Sequence, residues 1–373
     1  MRIGFDAKRA FSNNTGLGNY SRDAIRILSH YFPNNKYFLY TPRKNNNARL
    51  SFIKERKNTF IRTPESLINK ALKAYWRSKN IVKDLFANKI DIYHGLSNEL
   101  PLGIEKKSIK TIVTIHDLIF IRYPHLFKAI DRRIYRKKFK SACKRADKII
   151  AVSKQTKQDI INFFNISPEK ITVVYQGCNE IFQRRISKNK KQSTITKYNL
   201  PEKYLLYVGT IEERKNLLTL LQTLKELPNQ KLIIIGNGGS YKIKCLKFIA
   251  ENKLADRILF LSEISPEEMA VIYQCAEVMI YPSVFEGFGI PILESLFSKT
   301  PVITSEAGCF CEAGGPNSKY INPLSVTDMK KAIVEIQDSS ELQQNMREKG
   351  FEYAKNFTDN KIASKLMTVY TNL

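Results

Sequence analysis

The feature that most constrains this chain is a repeated alternation of short, continuously apolar runs with longer stretches whose apolar residues keep helical spacing. Continuous apolar runs predict strands that are buried on both faces, and the intervening helices cover those faces, so the pattern predicts βαβ units and parallel sheets. The predicted strands are residues 2–7, 37–41, 90–95, 111–117, 148–153 and 171–177, followed by 204–210, 231–237, 258–263, 278–283 and 301–306.

At 373 residues the chain is too long for one core, and the series divides into an α/β fold of two doubly wound, Rossmann-like domains. Residues 183–203 are polar and basic, with no acidic residue before Glu202, which is typical of a linker. The predicted domains are therefore residues 1–182 and 204–357. Ligands of doubly wound sheets bind beyond the carboxyl ends of the strands, so a substrate cleft is expected where two such domains face each other.

The positive charge of the chain is concentrated in its first half. The sequence has 61 Lys and Arg against 35 Asp and Glu, and residues 1–180 hold 36 of the basic and 14 of the acidic side chains. Such a field indicates an anionic partner, which is nucleic acid, a phospholipid surface or a phosphorylated substrate, unless the charge is only solvated.

Two observations predict where the protein is found in the cell. No apolar run reaches the roughly 18 residues of a membrane-spanning helix. The opening MRIGFDAKRA carries several charges and lacks the apolar stretch of a signal peptide. A cytoplasmic protein is therefore expected.

Two glycine-rich turns follow predicted strands and open helices. Gly16 and Gly18 lie in NNTGLGNY, and Gly236, Gly238 and Gly239 lie in IIIGNGGS. A turn of this kind lets backbone N–H groups and the positive end of a helix dipole approach an anion closely. A plain turn between strand and helix is the alternative in both places, and GLG is not the GxGxxG fingerprint of dinucleotide binding.

Charged side chains after two other strands are candidates for chemistry. His116 and Asp117 end the strand TIVTIHD, where an imidazole can bind a sugar hydroxyl, although a structural histidine is the alternative. Arg214 and Lys215 follow YVGTIEE at a predicted helix start. The helix dipole disfavours cations there unless an anion binds, and diphosphate is the candidate anion; a solvent-facing pair is the alternative.

The segment IYPSVFEGFGIPILESL carries two glutamates in a setting suited to a sugar nucleotide. Glu286 lies beside Gly287 and Gly289 in the loop after a strand, and Pro291 fits the first turn of a helix, so that Glu294 falls one turn inside it. The turn would expose N–H groups to phosphate. The carboxylates would accept hydrogen bonds from vicinal hydroxyls of ribose or hexose.

Taken together, the segments EGFGIPILE, VGTIEERKN, IIGNGG, TIHD and ADKIIAVSKQTKQDI resemble glycosyltransferase family 4, whose members have the GT-B fold. The likeness covers nearly the whole chain in the same order. It implies a retaining transfer from a nucleotide diphosphate sugar, with the donor held mainly by the second domain and the acceptor by the first. It also implies a final helix at 358–373 that packs back on the first domain.

The resemblance assigns a role to each matching residue. Glu286 would bind hydroxyls of the donor sugar and Glu294 those of the ribose, while His116 would lie beneath the transferred sugar. Arg214 and Lys215 would neutralise the departing diphosphate. The implied catalytic residues are His116, Glu286, Arg214 and Lys215, and the implied donor-binding residues are Gly16, Gly18, Gly209, Arg214, Lys215, Gly236, Glu286, Phe288, Gly289, Ile290 and Glu294.

The implied chemistry needs neither a cofactor nor a metal. No Asp-x-Asp motif occurs in the sequence, so nothing suggests a metal bridging the diphosphate, and side chains supply the cations. Thr210 stands where many members have an arginine, so phosphate binding would rest more heavily on Arg214 and Lys215. The family resemblance favours front-face attack by the acceptor hydroxyl, with no covalent nucleophile. GTIEERKN resembles stretches of mannosyltransferases that use GDP-mannose, so mannose is the favoured hexose, although the same surroundings occur with UDP-glucose and other donors.

Two basic segments bear on the acceptor. Residues 128–148 carry ten Lys or Arg against two Asp, with Ile130 and Ile134 interleaved, and residues 67–86 contain the only tryptophan, Trp76. Basic helices with aromatic anchors bind anionic membranes. We therefore expect a peripheral protein on the inner face of the plasma membrane that acts on a glycan or polyprenyl-diphosphate-linked acceptor in surface polysaccharide or lipopolysaccharide synthesis. Helices that are only solvated are the alternative.

Two other functions compete with this interpretation. A GT-B sugar-phosphate synthase with a soluble acceptor is the main alternative, because some of these synthases share the motif from Glu286 to Glu294. A nucleic-acid-binding protein is the distant alternative suggested by the charge. The sequence has no RNP-like aromatic motif, zinc module or recognisable helix-turn-helix, so no nucleic-acid partner is expected.

Overall fold

A strand occupies each of the apolar runs predicted above in the computed structural model of the chain, which describes residues 1–45 and 47–373. The described residues fall into two units. Unit 1 comprises Met1–Gly177 and Asp359–Leu373, and unit 2 comprises Cys178–Thr358.

The described part of unit 1 forms a seven-stranded parallel sheet with the order β3-β2-β1-β4-β5-β6-β7. The strand order reverses between β1 and β4, which is the arrangement of a doubly wound sheet. The strands are β1 (Arg2–Asp6), β2 (Lys36–Tyr40), β3 (Thr59–Arg62), β4 (Ile92–Gly95), β5 (Lys110–Ile115), β6 (Lys148–Ala151) and β7 (Ile171–Val173).

Unit 2 repeats this architecture with a six-stranded parallel sheet over its described residues, in the order β10-β9-β8-β11-β12-β13. The order reverses between β8 and β11, so the predicted α/β fold of two doubly wound sheets is confirmed. The strands are β8 (Leu205–Val208), β9 (Leu232–Ile235), β10 (Ile258–Leu261), β11 (Val278–Tyr281), β12 (Val302–Ser305) and β13 (Lys319–Ile321).

Helices connect the strands and cover both faces of each sheet. In chain order they are α1 (Lys8–Ser12), α2 (Gly16–Tyr31), α3 (Leu67–Ala71), α4 (Lys73–Tyr75), α5 (Ile81–Ala87), α6 (Ile119–Arg122), α7 (Ala129–Arg145), α8 (Lys154–Phe164), α9 (Lys188–Tyr198), α10 (Leu217–Lys225), α11 (Ser240–Glu251), α12 (Pro266–Cys275), α13 (Ile290–Phe297), α14 (Phe310–Gly314), α15 (Val326–Asp338), α16 (Ser340–Ala354) and α17 (Asp359–Thr371). Over the part of the chain that is described, no helix is long and apolar enough to cross a bilayer.

Burial on both faces explains why the strands appear as continuous apolar runs. In β2, Tyr37 and Leu39 enter one hydrophobic cluster while Phe38 and Tyr40 enter the cluster on the opposite face. Successive side chains of a strand point to opposite faces, so both sets must be apolar when both faces are covered.

The sequence analysis missed two strands, β3 and β13. Both are short and lie at the edge of a sheet, and β3 is only half buried along its length. An edge strand has one neighbour and needs fewer apolar residues, so it lacks the continuous apolar run of a central strand.

Two segments outside the sheets concern the predicted domain limits. The segment 183–203, predicted as a linker, contains α9 and is counted with unit 2. The last helix, α17, is counted with unit 1, where Asp359 pairs with Arg26 at 2.7 Å and the Tyr370 hydroxyl lies 2.6 Å from Nδ1 of His94.

Candidate functional site

The candidate site of unit 2 is built around the carboxylate of Glu286. Oε1 of Glu286 lies 2.7 Å from Nη1 of Arg214 and 2.8 Å from Nζ of Lys215. The hydroxyls of Tyr281 and Ser283 donate to the same oxygen at 3.0 and 2.8 Å. The strand order brings these groups together, because Arg214 and Lys215 follow β8 while Glu286 follows its neighbour β11.

Backbone contacts fix the two loops against each other. The carbonyl oxygen of Arg214 accepts from the N–H of Val284 at 2.8 Å and from the hydroxyl of Ser283 at 3.3 Å. The Arg214 guanidinium also donates to the carbonyl oxygen of Phe285 and to Glu212. The cations are therefore held beneath the loop that carries Glu286, with little freedom to move.

Electrostatics keep Glu286 ionised. Burial opposes ionisation, but the ammonium of Lys215 and the guanidinium of Arg214 outweigh it and lower the pKa of Glu286 from its ordinary 4.5 to about 2. The side chain of Glu286 is only 13% exposed, and those of Arg214 and Lys215 are 12% and 13% exposed. The cluster is thus a charged network with limited access to water.

One oxygen of this carboxylate is left for a ligand. Among the described residues, every hydrogen bond to the Glu286 side chain goes to Oε1, and Oε2 accepts none. Lys215 donates to Tyr281 at 2.9 Å and to Glu286, which uses two of its three N–H groups. The cluster therefore presents an oriented acceptor beside a cation, which suits a polyhydroxylated ligand carrying a negative charge.

The sequence argument about Arg214 and Lys215 needs a correction. The two residues lie in a 3-10 turn, Glu213–Lys215, and α10 begins only at Leu217 after Asn216, whose φ is 56°. Both cations also have an anionic partner already, because Glu286 pairs with each of them. The diphosphate was predicted because cations at a helix start are unfavourable without an anion. Within unit 2, the carboxylate of Glu286 already supplies that anion.

The loop after Glu286 leads into α13 through a turn whose backbone conformation favours glycine. Gly289 caps the helix with φ 117°, a left-handed conformation that favours glycine. The buried thiol of Cys309 donates to the carbonyl oxygens of Phe288 and Glu286 at 3.0 and 3.2 Å, which fixes the loop from below. Over the described residues, the N–H groups of Gly289 and Ile290 have no partner, as expected at the start of a helix.

Glu294 lies one turn inside α13, as the sequence predicts. Its Oε2 accepts from the hydroxyl of Tyr273 at 2.8 Å, and its side chain is half buried. Phe288, one of the predicted donor-binding residues, is 2% exposed and packs against Phe357 with ring centroids 5.8 Å apart. It therefore offers a ligand its backbone rather than its ring.

The glycines after β8 and β9 allow the two chain segments to meet. A Cβ on Gly236 would lie 1.9 Å from the carbonyl oxygen of Gly209, and one on Gly209 would lie 3.1 Å from Cδ of Lys215. The backbone contact excludes a side chain at Gly236, whereas at Gly209 the φ of 151° disfavours one and the flexible side chain of Lys215 would have to shift. Gly209 consequently leaves room for the side chain of Lys215.

Gly16 and Gly18 belong to unit 1 and differ in environment. Gly18 packs against Asn13, whose side-chain oxygen accepts from the N–H groups of Thr15 and Gly18 at 2.8 and 3.2 Å. A Cβ on Gly18 would lie 1.9 Å from the carbonyl oxygen of Asn13, whereas a Cβ on Gly16 would have no atom within 4 Å. Gly18 is thus needed for packing, and only Gly16 leaves open space for a ligand.

This difference predicts opposite effects of two alanine substitutions. Gly18→Ala is expected to lower the free energy of unfolding by about 1–3 kcal/mol, because the new methyl meets a backbone oxygen. Gly16→Ala is expected to be neutral or to add up to about 1 kcal/mol, because it replaces glycine in a helix with nothing nearby. Chemical denaturation of the two variants measures both changes, and equal effects would contradict the close contact at Gly18.

His116 lies at the end of β5 in unit 1, with both ring nitrogens occupied. Its Nε2 donates to the carbonyl oxygen of Leu96 at 2.9 Å, and its Nδ1 accepts from the amide of Gln176 at 3.2 Å. Burial lowers the pKa of His116 from 6.5 to about 4, so the ring is neutral at physiological pH. A sugar hydroxyl would have to replace one of these partners, and the catalytic role of His116 stays a prediction.

Several residues of these sites escaped the sequence analysis. Tyr281 and Ser283 orient Glu286, Tyr273 orients Glu294, and Gln176 fixes the ring of His116. Tyr281 and Ser283 lie in the IYPS that precedes the glutamate motif, so their position directly after a strand was an available signal. Tyr273 and Gln176 lie far along the chain from their partners and gave no local signal.

The basic segments of unit 1 also need one correction. Trp76 is fully buried, and its ring N–H donates to Asp84 at 2.6 Å, so the expectation of a membrane-anchoring tryptophan is wrong. The exposed apolar residues of the two segments are instead Leu67, Ile68, Leu72, Tyr75, Phe86, Ile130, Ile134 and Tyr135. The indole packs inward because an apolar core lies directly beneath this turn.

Two known protein families match the chain, one on each side of a gap that lies a few residues after the boundary between unit 1 and unit 2. Residues 27–180 match the family Glycosyltransferase Family 4, and residues 188–353 match the family Glycosyl transferases group 1. The candidate residues of unit 2 lie inside the second match, and His116 lies inside the first.

Two curated relatives are O-antigen enzymes. The O-antigen chain mannosyltransferase RfbU of Salmonella typhimurium is 31% identical over 226 residues, which is 60% of this chain and 60% of that protein. The O-antigen chain mannosyltransferase B of Escherichia coli is 26% identical over 285 residues, which is 75% of this chain and 74% of that protein. The first match therefore spans less than two thirds of its relative.

Among solved structures, HepE from Anabaena in complex with UDP and glucose superposes with a TM-score of 0.78. The match covers 100% of both chains at 15% sequence identity. At this identity the likeness concerns the fold, and it agrees with the two doubly wound sheets described above.

Proposed function

The chain belongs to the glycosyltransferases, with a Glycosyltransferase Family 4 domain followed by a Glycosyl transferases group 1 domain, and we propose that it transfers a hexose, preferably mannose, from a nucleotide diphosphate sugar to a glycan or lipid-linked acceptor. The observation that carries this proposal is the Glu286 cluster, in which one carboxylate oxygen is fixed by four donors and the other is left for a ligand. The choice of mannose is supported by the O-antigen mannosyltransferases among the relatives.

In this proposal the cluster binds the sugar and its leaving group together. Oε2 of Glu286 accepts hydrogen bonds from hydroxyls of the donor sugar. Lys215 and Arg214 stabilise the negative charge that grows on the diphosphate as the glycosidic bond breaks. Because these cations are already held in place by Glu286, little reorganisation is needed during the reaction.

The remaining contacts to the donor lie at the start of α13 and one turn inside it. The N–H groups of Gly289 and Ile290 suit a phosphate oxygen at the positive end of this helix. Glu294, oriented by Tyr273, accepts from the ribose hydroxyls. The acceptor hydroxyl attacks the anomeric carbon on the face from which the diphosphate departs, and its proton passes to an oxygen of the departing diphosphate. The new glycosidic bond therefore forms on the face where the bond to the diphosphate breaks, and the configuration is retained. Neither a metal nor a covalent nucleophile is part of the proposal.

The proposal includes binding at the cytoplasmic face of a membrane during surface-polysaccharide synthesis. Support comes from α7, whose exposed face carries Ile130 at 61% and Ile134 at 42% exposure among its many Lys and Arg side chains. Such a helix combines apolar contact with attraction to anionic lipids.

A thermal-shift panel tests the donor site directly. We expect one of GDP, UDP, ADP, dTDP or CMP, or its sugar conjugate, to stabilise the protein by about 2.7 kcal/mol at about a hundred times its Kd. Glu294→Ala is expected to remove this response because it removes the ribose contacts. Glu251→Ala is the matched control, because Glu251 is an exposed glutamate of the same unit.

Two results would count against the proposal. Stabilisation of Glu294→Ala equal to that of the wild type would remove Glu294 from the donor site. No response to any nucleotide, together with salt-sensitive binding of DNA or RNA, would favour the nucleic-acid alternative.

A further inference from the structure

A cavity of about 790 Å³ lies in unit 1 and is lined by residues of that unit. Its wall includes Asp6 at the end of β1, Thr41 after β2 and Glu99 after β4, together with residues of α4 and α7. The strand order reverses between β1 and β4, and ligands of doubly wound sheets bind beyond the carboxyl ends of the strands at such a reversal. The cavity therefore occupies the position where unit 1 is expected to bind a ligand.

The acidic groups of this cavity are already neutralised. The guanidinium of Arg77 binds both carboxylate oxygens of Asp6, with Nη2 to Oδ2 at 2.5 Å, and its Nη1 donates to Glu99 at 2.8 Å. Lys138 adds a second cation beside Glu99 at 3.3 Å. The carboxylates of the wall are thus neutralised by cations that line the same cavity.

Four other cations in the wall have no such partner. Over the described ranges, Lys8, Arg43, Lys73 and Lys137 line the cavity and form no ion pair within 4 Å. Burial is the main cause that lowers the pKa of Lys8 from 10.5, and repulsion by the neighbouring Arg77 and Arg9 lowers it further. An anion in the cavity would relieve this repulsion.

One side of the same cavity is apolar and open. Leu102 and Ile134 line it, with 52% and 42% of their surface exposed. Leu72, next to Lys73, and Ile130, one turn before Ile134, are 55% and 61% exposed. Exposed apolar side chains beside unpaired cations match a ligand that has an anionic group attached to a hydrocarbon chain.

We propose that this cavity binds the acceptor through a phosphate or diphosphate group linked to a hydrocarbon chain. Lys8, Arg43, Lys73 and Lys137 bind the phosphate oxygens. Leu102 and Ile134 contact the first carbons of the chain. The identification of this ligand as the acceptor rests on the proposed function, whereas the ligand chemistry rests on the cavity alone.

Farnesyl diphosphate is a suitable probe for the full-length protein. Isothermal titration calorimetry measures its affinity, and fluorescence of Trp76, the single tryptophan and the neighbour of Arg77, reports binding at the cavity. The variant Lys73→Gln with Lys137→Gln removes two unpaired cations and is expected to weaken binding tenfold or more, since each lysine would contribute charge-assisted hydrogen bonds to the phosphate oxygens. The matched control is Lys36→Gln with Lys83→Gln, two exposed lysines of unit 1 outside the cavity. It is expected to change affinity less than twofold.

Three further ligands distinguish the sources of the phosphate. Inorganic diphosphate, farnesol and glucose 6-phosphate are each expected to bind at least tenfold more weakly than farnesyl diphosphate. Equal binding of inorganic diphosphate or glucose 6-phosphate would contradict the hydrocarbon part and favour a soluble acceptor. Equal binding of farnesol would contradict the phosphate part.

Two outcomes would overturn the site itself. Unchanged affinity in the cavity variant, or an equal loss in the control, would show that the four cations do not form a specific site. Loss of sedimentation with phosphatidylglycerol vesicles alone, with unchanged farnesyl diphosphate binding, would assign the lysines to the bilayer surface instead. The nucleotide panel on Glu294→Ala tests a residue of unit 2, whereas the cavity variant changes residues of unit 1, so failure of the cavity and failure of the donor site are distinguishable.

Discussion

Replacing Lys215 with glutamine is expected to lower the rate of sugar transfer by about 10²–10³-fold, the loss typical when one preorganised charge-stabilising group is removed. Lys215 supplies a buried positive charge 2.8 Å from Glu286 and next to the glycine at the end of β8. Glutamine keeps a hydrogen-bond donor but removes the charge that opposes the departing diphosphate. The rate is measured as kcat with the donor that the thermal-shift panel identifies.

Lys225→Gln is the matched control for this prediction. Lys225 ends α10 in the same unit, is exposed and forms no ion pair among the described side chains. Its substitution changes the net charge equally but is expected to leave kcat within a factor of two. A loss in Lys225→Gln as large as in Lys215→Gln would attribute the effect to net charge. An unchanged rate in Lys215→Gln would remove the residue from the mechanism.

Replacing Glu286 with glutamine is expected to lower the free energy of unfolding by about 3–5 kcal/mol, because removal of one partner leaves buried charge uncompensated. Here two cations, Arg214 and Lys215, would lose their common carboxylate. Chemical denaturation measures the change. The exposed pair of Glu335 with Lys319 provides the control, since Glu335→Gln is expected to cost less than about 1 kcal/mol. A cost equally small in Glu286→Gln would contradict the network described here.

The same variant gives a signature in the dependence of stability on pH. The pKa of Glu286 is depressed in the folded state, from 4.5 to about 2, so the ionised form is the one that folding favours. Its contribution to stability is complete above pH 4.5 and is lost as the pH falls toward 2. The wild type is therefore expected to lose stability more steeply than Glu286→Gln over this interval. Parallel curves would mean that Glu286 is not held ionised by its neighbours.

Much of the candidate site was predictable because its signals are local. Gly289 before Pro291, and Glu294 one turn later, identify a strand, a turn and a helix start from neighbouring residues alone. The family resemblance then added functional roles to these positions. It did not reveal that Glu286 is the anion beside Arg214 and Lys215, because these two residues lie on another loop and far earlier in the chain.

Other parts were predicted incompletely because they depend on contacts between segments that are far apart in the chain. The basic composition of residues 67–86 is evident from the sequence, but the burial of Trp76 depends on a core formed by strands elsewhere in unit 1. The unpaired cations around the unit 1 cavity also come from separate segments, since Lys8 follows β1, Lys73 lies on α4 and Lys137 lies on α7. No local pattern connects them.

The sequence by itself determined the succession of strands and helices, the burial of both faces of each sheet and the residues at the ends of the central strands. These properties depend on the spacing of apolar residues over a few positions. Only the tertiary structure decided which strand ends are neighbours, and hence which charges pair and which remain available. In unit 2 it places β8 beside β11, so that Lys215 and Glu286 meet, because the pairing of parallel strands far apart in the chain is set by the packing of the whole domain.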